Sequence, residues 1–229
     1  MKSATAEMSL LTTPTALPLV APSILSADFA NLGDECKAVI DAGADLLHLD
    51  VMDGHFVPNL TMGAALCQSL RNALPTTYLD AHLMVEHPVS FIEGFANAGA
   101  NLFTGHIESS DDPLEMAKVI HAAGMDAGLA INPPTDVELI LPYVEEFDLI
   151  LVMSVNPGYS GQAFIPDVLE KVKHISSLLR PDQRLQMDGG IAPSTVQAAR
   201  EAGCDVLVAA SAIFGKNDYA AAIEELRVA

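Results

Sequence analysis

Positive charge is scarce in this sequence. Its 11 lysines and arginines stand against 30 aspartates and glutamates, for a net charge of −19 over 229 residues. A surface so acidic repels polyanions, which argues against nucleic acid and anionic membrane as partners. A small phosphorylated metabolite stays possible, because backbone N–H groups and helix N-termini hold a phosphate without a local lysine. Cysteine is scarce too. Cys36, Cys67 and Cys204 lie far apart and form no C-x-x-C pair, the pattern of reduced thiols in a cytoplasmic protein. No apolar run approaches the length of a membrane span. Residues 1–17 include Glu7 and several threonines and serines; they lack the apolar region of a signal peptide and are expected to form a disordered tail. Charged residues amount to only 18%, little for a soluble surface, so a homo-oligomer is expected in which other copies cover part of the exterior.

What is present is apolar and evenly spread. Half the residues are hydrophobic and no break in composition divides the chain, so residues 18–229 are expected to share one core. Eight short β-type runs recur, at 19–24, 46–51, 78–84, 102–107, 127–131, 149–153, 185–187 and 206–209. Amphipathic stretches of helical period lie between them, as at 32–42, 89–98, 114–123, 168–179 and 194–202, several ending in Ala-Gly, where glycine suits the left-handed position after a helix. Strand alternating with helix implies right-handed parallel βαβ units, and eight of these close into a (β/α)8 TIM barrel. An open doubly wound sheet usually carries fewer strands, and the first strand-to-helix turn, 23–29, has no G-x-G-x-x-G for a dinucleotide. In such a barrel the polar residues at the C-terminal strand ends carry the chemistry.

Strand two ends in His48 and Asp50, two apart and therefore on one face; strand three offers Asp80 and His82 in the same relation; strand seven ends at Asp188. Two histidines and two carboxylates on three strand ends match the nitrogen and oxygen ligand set of zinc, iron(II), manganese or cobalt. Any one of them alone is more often a buried hydrogen-bonded residue than a ligand, but four together reverse that preference. None of the six lysines falls at a predicted strand end, which disfavours a Schiff-base aldolase and a decarboxylase of the orotidine-phosphate type. No cysteine does either, which disfavours thiol catalysis. Glycine-rich turns follow strands six (156–161), seven (188–191) and eight (210–215), and these barrels hold a phosphate after strands seven and eight. His106, at the end of strand four, is read as a hydrogen-bonded barrel residue rather than a ligand.

At this point a resemblance emerges. Residues 21–29 (APSILSADF), 48–59 (HLDVMDGHFVPN), 80–85 (DAHLMV), 153–158 (MSVNPG) and 188–191 (DGGI) resemble, in order, the motifs of the ribulose-phosphate 3-epimerase family. The resemblance runs from Ala21 to the C-terminus. It implies a cytoplasmic isomerase that interconverts D-ribulose 5-phosphate and D-xylulose 5-phosphate in the pentose phosphate pathway or the Calvin cycle. It implies one divalent metal per subunit on His48, Asp50, His82 and Asp188, with Asp50 and Asp188 as the acid/base pair. Ser23 and His82 would touch the substrate, Gly158, Tyr159, Ser160, Gly161, Gly189, Gly190, Ala210 and Ser211 would hold it at its phosphate end, and Met52, Met84 and Met153 would line the site. Epimerising C3 of a 2-ketose means removing a proton beside the carbonyl and returning one to the opposite face, which two carboxylates on opposite sides can do. Rival readings are a 3-epimerase of another ketose phosphate, such as a hexulose 6-phosphate, and a phosphate-binding barrel without turnover. Two positions depart from the family's pattern: Ala210-Ser211 stands for Gly-Ser, where an added methyl would crowd a backbone that approaches phosphate closely or needs positive φ, and Ser160 replaces a glycine.

Overall fold

Eight apolar runs become eight parallel strands in the computed structural model, which describes residues 9–228. They are β1 (Leu19–Pro22), β2 (Leu46–Met52), β3 (Tyr78–Met84), β4 (Leu102–His106), β5 (Asp126–Ile131), β6 (Leu149–Met153), β7 (Arg184–Asp188) and β8 (Val206–Ala209). Eight α-helical segments lie between or after them among the described residues, as expected of a barrel's outer layer: α1 (Leu32–Asp41), α2 (Ala64–Ala73), α3 (Ile92–Ala98), α4 (Pro113–Ala122), α5 (Val168–Ser176), α6 (Val196–Glu201), a short α7 (Ser211–Phe214) and the last one, α8 (Tyr219–Val228). The crossover from β5 to β6 has two 3-10 turns instead, Val137–Leu139 and Leu141–Glu146, in a stretch interrupted by Pro133, Pro134 and Pro142. Local chemistry sets the helix ends. Asp112 caps α4 by accepting from the Glu115 N–H at 3.0 Å, with Pro113 in the first turn. α3 stops at Gly99, whose φ of +88° only glycine adopts cheaply.

Strand order is β1-β8-β7-β6-β5-β4-β3-β2. Between the two end strands there is a seam rather than a ladder: one bridge, Ser23 to His48, and a hydrogen bond from Asp45 N to Val20 O at 3.1 Å. The alternation within each strand sorts residues into two layers. Outward residues such as Leu47, Leu49, Leu79, Ala81 and Leu83 pack under the helices. Inward ones such as Leu19, Leu46, Leu102, Leu149 and Val206 fill the barrel. These five are the first or near-first residues of their strands, so the N-terminal end of the barrel is apolar. Polarity begins one step further up: β2 turns Leu46, His48, Asp50 and Met52 inward, and the register sets His48 beside Asp80 and Asp50 beside His82.

The expected disordered tail needs a correction. Residues 1–8 lie outside the described residues, but Leu11 is fully buried among the apolar residues at the N-terminal end of the barrel. Ser9 Oγ and Tyr78 OH both donate to Asp126 Oδ2. Packing therefore reaches ahead of the expected start at 18, to Leu11 and Ser9 among the described residues, because one leucine finds an apolar floor to cover. Cys36, Cys67 and Cys204 are free and buried; burial pushes the thiols of Cys36 and Cys67 up to about 12 and about 11. Among the described residues no helix is long and apolar enough to cross a membrane.

Candidate active site

The C-terminal strand ends open on a cavity of about 420 Å³. Ser23, Asp50 and Asp188 line one part of it, with Met52, Met84 and Met153 as its apolar wall, and the turns after β6, β7 and β8 line the rest. The expected quartet assembles. Ligand atoms of His48, Asp50, His82 and Asp188 all lie within 4.8 Å of one another. His48 Nε2 stands 3.3 Å from His82 Nδ1, and Asp50 Oδ1 is 3.4 Å and 3.3 Å from those two nitrogens. A tetrahedron with ligand bonds of about 2.0–2.1 Å has edges of roughly 3.3–3.4 Å, so three of the four donors already have the spacing of a zinc-like site. Asp188 Oδ2 is further off, 4.0 Å from His48 Nε2 and 3.8 Å from His82 Nδ1. The donor set fits a divalent cation of the zinc, iron(II), manganese or cobalt kind in both chemistry and spacing.

Three of the four donors have a partner behind them. His48 Nδ1 is 2.6 Å from Asp80 Oδ2, and Gln186 Nε2 donates to that same oxygen at 2.8 Å. With its Nδ1–H given to Asp80, His48 turns Nε2 toward the site. Ser23 Oγ donates to Asp50 Oδ2, which fixes the carboxylate while Oδ1 faces the two imidazoles. His106 is hydrogen-bonded, as expected: its Nε2 lies 2.8 Å from His82 Nε2.

The two aspartates are electrostatically unlike. Burial works against charge on Asp50, but His48 and His82 outweigh it and hold its carboxyl well below the usual carboxylate range. For Asp188 burial and the neighbouring Asp50 act together and push it up to about 8. Burial also lowers His82 to about 4, leaving it neutral and available as a ligand. Burial opposes a charge on His48 as well, yet Asp80 and Asp50 overcome it and raise its pKa well above the usual imidazole value. One carboxylate ionised and its neighbour protonated is the pattern of a base facing an acid.

The other expected contact residues line the same cavity. Gly158, Gly161, Gly189 and Gly190 have φ of +133°, +78°, +117° and +65°, and Tyr159, Ser160, Ala210 and Ser211 line the wall beside them. Ser154 braces the β7 turn, donating from Oγ to Gly189 O at 2.6 Å and from N to Asp188 O at 2.7 Å. Ala210 has φ −105°, so the expected crowding of a positive-φ backbone does not arise. Sequence reading missed Lys216, which lines the cavity although it follows no strand directly. It also missed Asp80 and Gln186 as supports. An inward-facing polar residue two before each ligand, Asp80 before His82 and Gln186 before Asp188, was the available signal.

Comparisons with known proteins show the family and the fold. The model of the ribulose-phosphate 3 epimerase family matches residues 19–214. A ribulose-phosphate 3-epimerase of Mycobacterium tuberculosis is 47% identical over 92% of this chain and 92% of that protein. The cytoplasmic isoform from Oryza sativa subsp. japonica is 47% identical over 91% and 92%. A solved 3-keto-L-gulonate-6-phosphate decarboxylase of Vibrio cholerae superposes with a TM-score of 0.70, covering 92% of this chain and 97% of that one; at 16% identity it shows the barrel alone. A family match spanning most of the chain, on a TIM barrel whose paired aspartates meet two imidazoles, places this enzyme in the ribulose-phosphate 3-epimerase family.

Proposed function

We propose that this enzyme interconverts D-ribulose 5-phosphate and D-xylulose 5-phosphate, with Asp50 and Asp188 as the two proton-transfer groups. The observation that carries the reading is the meeting of these two carboxyls with two imidazoles at one buried centre, in a chain of the epimerase family; the electrostatics, which lower Asp50 and raise Asp188, support it. The ionised Asp50 takes the proton from C3, and the C–H electrons become the C2–C3 double bond of an enediolate. The protonated Asp188 returns a proton to C3 from the opposite face, the double bond reverts to the ketone, and the configuration is inverted. Asp50 then holds the proton and Asp188 the charge, which is the arrangement the reverse reaction needs. A divalent cation held by His48, Asp50, His82 and Asp188 would act as a Lewis acid for the negative charge developing on the ketone oxygen.

Ser23 keeps Asp50 oriented, and the methionine wall keeps water from the reacting carbon. The phosphate is assigned to the turns after β6, β7 and β8, where Gly158, Gly161, Gly189 and Gly190 bring bare backbone to the cavity and Tyr159, Ser160, Ala210 and Ser211 complete the cradle. Lys216 supplies a cation there. His82, expected to touch the substrate, is fully buried and does not line the cavity, so its part is in holding the centre. The reading includes a cytoplasmic homo-oligomer, supported by the low charge content and by exposed Phe29, Leu60 and Phe91.

The test is deuterium incorporation at C3 of D-ribulose 5-phosphate in D2O, followed by NMR. Wild type should form deuterated xylulose 5-phosphate, while Asp50→Asn, Asp188→Asn and chelator-treated protein should not. Failure of metal-supplemented wild type to exchange C3 would overturn the pentulose assignment and favour a longer ketose phosphate.

A further inference from the structure

Behind His82 lies a chain of contacts that the proton-transfer chemistry does not use. His82 Nε2 is 2.8 Å from His106 Nε2, and His106 Nδ1 is 3.1 Å from Glu108 Oε2. All of His82 and His106 is buried, and the Phe56 ring covers the His106 ring with centroids 5.0 Å apart. Glu108 is anchored from outside. Its Oε1 accepts from Asn132 N at 2.8 Å, and Lys171 Nζ gathers the carbonyls of Asn132, Pro133 and Thr135, fixing that loop against α5.

The order of these contacts leaves one consistent placement of protons. A cation at the centre takes the lone pair of His82 Nδ1, so the His82 proton is on Nε2. His106 Nε2 must then accept it, which puts the His106 proton on Nδ1, and only an acceptor can receive that one. Glu108, ionised, offers nothing else. Burial works against its charge, but hydrogen bonds from His106, Thr135 and Asn132 prevail.

We propose that His106 and Glu108 are a positioning dyad for the metal ligand His82, in which the Glu108 carboxylate fixes the His82 tautomer through the intervening imidazole. The two ligand histidines thus differ in support: His48 is held by a carboxylate directly, His82 by a carboxylate at one remove. Glu108 also lends electron density along the relay and makes Nδ1 a better donor. Gln at 108 removes the charge and can present an N–H to His106, which reverses both tautomers and turns a proton toward the cation.

This inference rests on the metal reading above, and its test separates the two. Protein labelled with ¹⁵N-histidine and free of metal is examined by long-range ¹H–¹⁵N correlation, and Co(II) affinity is measured by chelator competition. Wild type should show His82 protonated at Nε2 and His106 at Nδ1. Glu108→Gln should bind Co(II) about 10–100-fold more weakly, with the His82 signals moved toward the Nδ1–H form. His106→Phe, which leaves His82 Nε2–H without an acceptor, should weaken Co(II) in the same range. An Nδ1–H tautomer for His82 in wild type, or Glu108→Gln binding Co(II) within twofold of wild type, would overturn the dyad. If wild type takes up no Co(II), the metal reading falls, and the tautomers still decide the relay.

Discussion

Leu11 offers a sharp test of where this barrel begins. It is fully buried against the residues that open β1, β2, β4, β6 and β8, at the end of the barrel opposite the site. Leu11→Ala removes three carbons from a contact made on all sides, and truncations of this kind cost about 2–5 kcal/mol through lost transfer energy and a residual cavity. Taking about 3 kcal/mol, and roughly 2–4 °C per kcal/mol for a chain of this size, the melting temperature should fall by about 6–12 °C. Thr12 and Thr13 are exposed and bond only to Ser9 O, so alanine there should shift it by no more than about 2 °C. Calorimetric melting at fixed metal concentration, with kcat measured on the same samples at 25 °C, provides the assay. A fall in melting temperature with kcat intact is expected, because nothing of Leu11 reaches the cavity. A Leu11→Ala protein that melts within 2 °C of wild type would show that the segment adds nothing to the core, and the reasoning would be wrong.

Three further outcomes are expected. The Asp188 carboxyl, pushed up to about 8 by burial and Asp50, is a stronger ligand once it has lost its proton, so Co(II) affinity should fall below pH 8, by up to about tenfold per pH unit; titrations at pH 8, 7 and 6 giving equal affinity contradict this. Asp80→Asn keeps an acceptor for His48 Nδ1 but removes the charge, and should weaken Co(II) by about 10–100-fold with the melting curve of the metal-free protein little changed. Gly190→Ala sets a methyl 2.8 Å from Phe164 N at φ +65°, so about 1–3 kcal/mol of stability should be lost and KM for the sugar phosphate should rise; a urea midpoint and KM equal to wild type would refute that close approach.

The strands were legible because alternation and burial agree. β2 reads inward as Leu46, His48, Asp50, Met52, and the two polar members of an otherwise apolar series marked the site before any coordinates. β3 and β7 carry the same signature in Asp80, His82 and Asp188. What stayed hidden depends on partners distant in sequence. Ser9 meets Asp126 across 117 positions, and nothing local in a stretch of serines and threonines announces it. His106 and Glu108 form an H-x-E pair like the H-x-D of β2, but their meaning lies in the contact to His82, 24 residues earlier. The β5–β6 crossover was legible only as a place without a clear amphipathic helix, since its prolines break the period.

The seam between β1 and β2 has a consequence for how the molecule breathes. Every other neighbouring pair of strands is laced by a ladder, whereas these two edges meet through Ser23, His48 and Asp45, and two of those three belong to or touch the ligand set. The clasp of the ribbon and the His/Asp centre are therefore one object. Amides along 20–23 and 46–49 should exchange with solvent sooner than those of β4 to β6, and loading the centre should slow them selectively. Ligand occupancy is then written into the hydrogen-exchange map as the closing of a single gap in an otherwise unbroken wall.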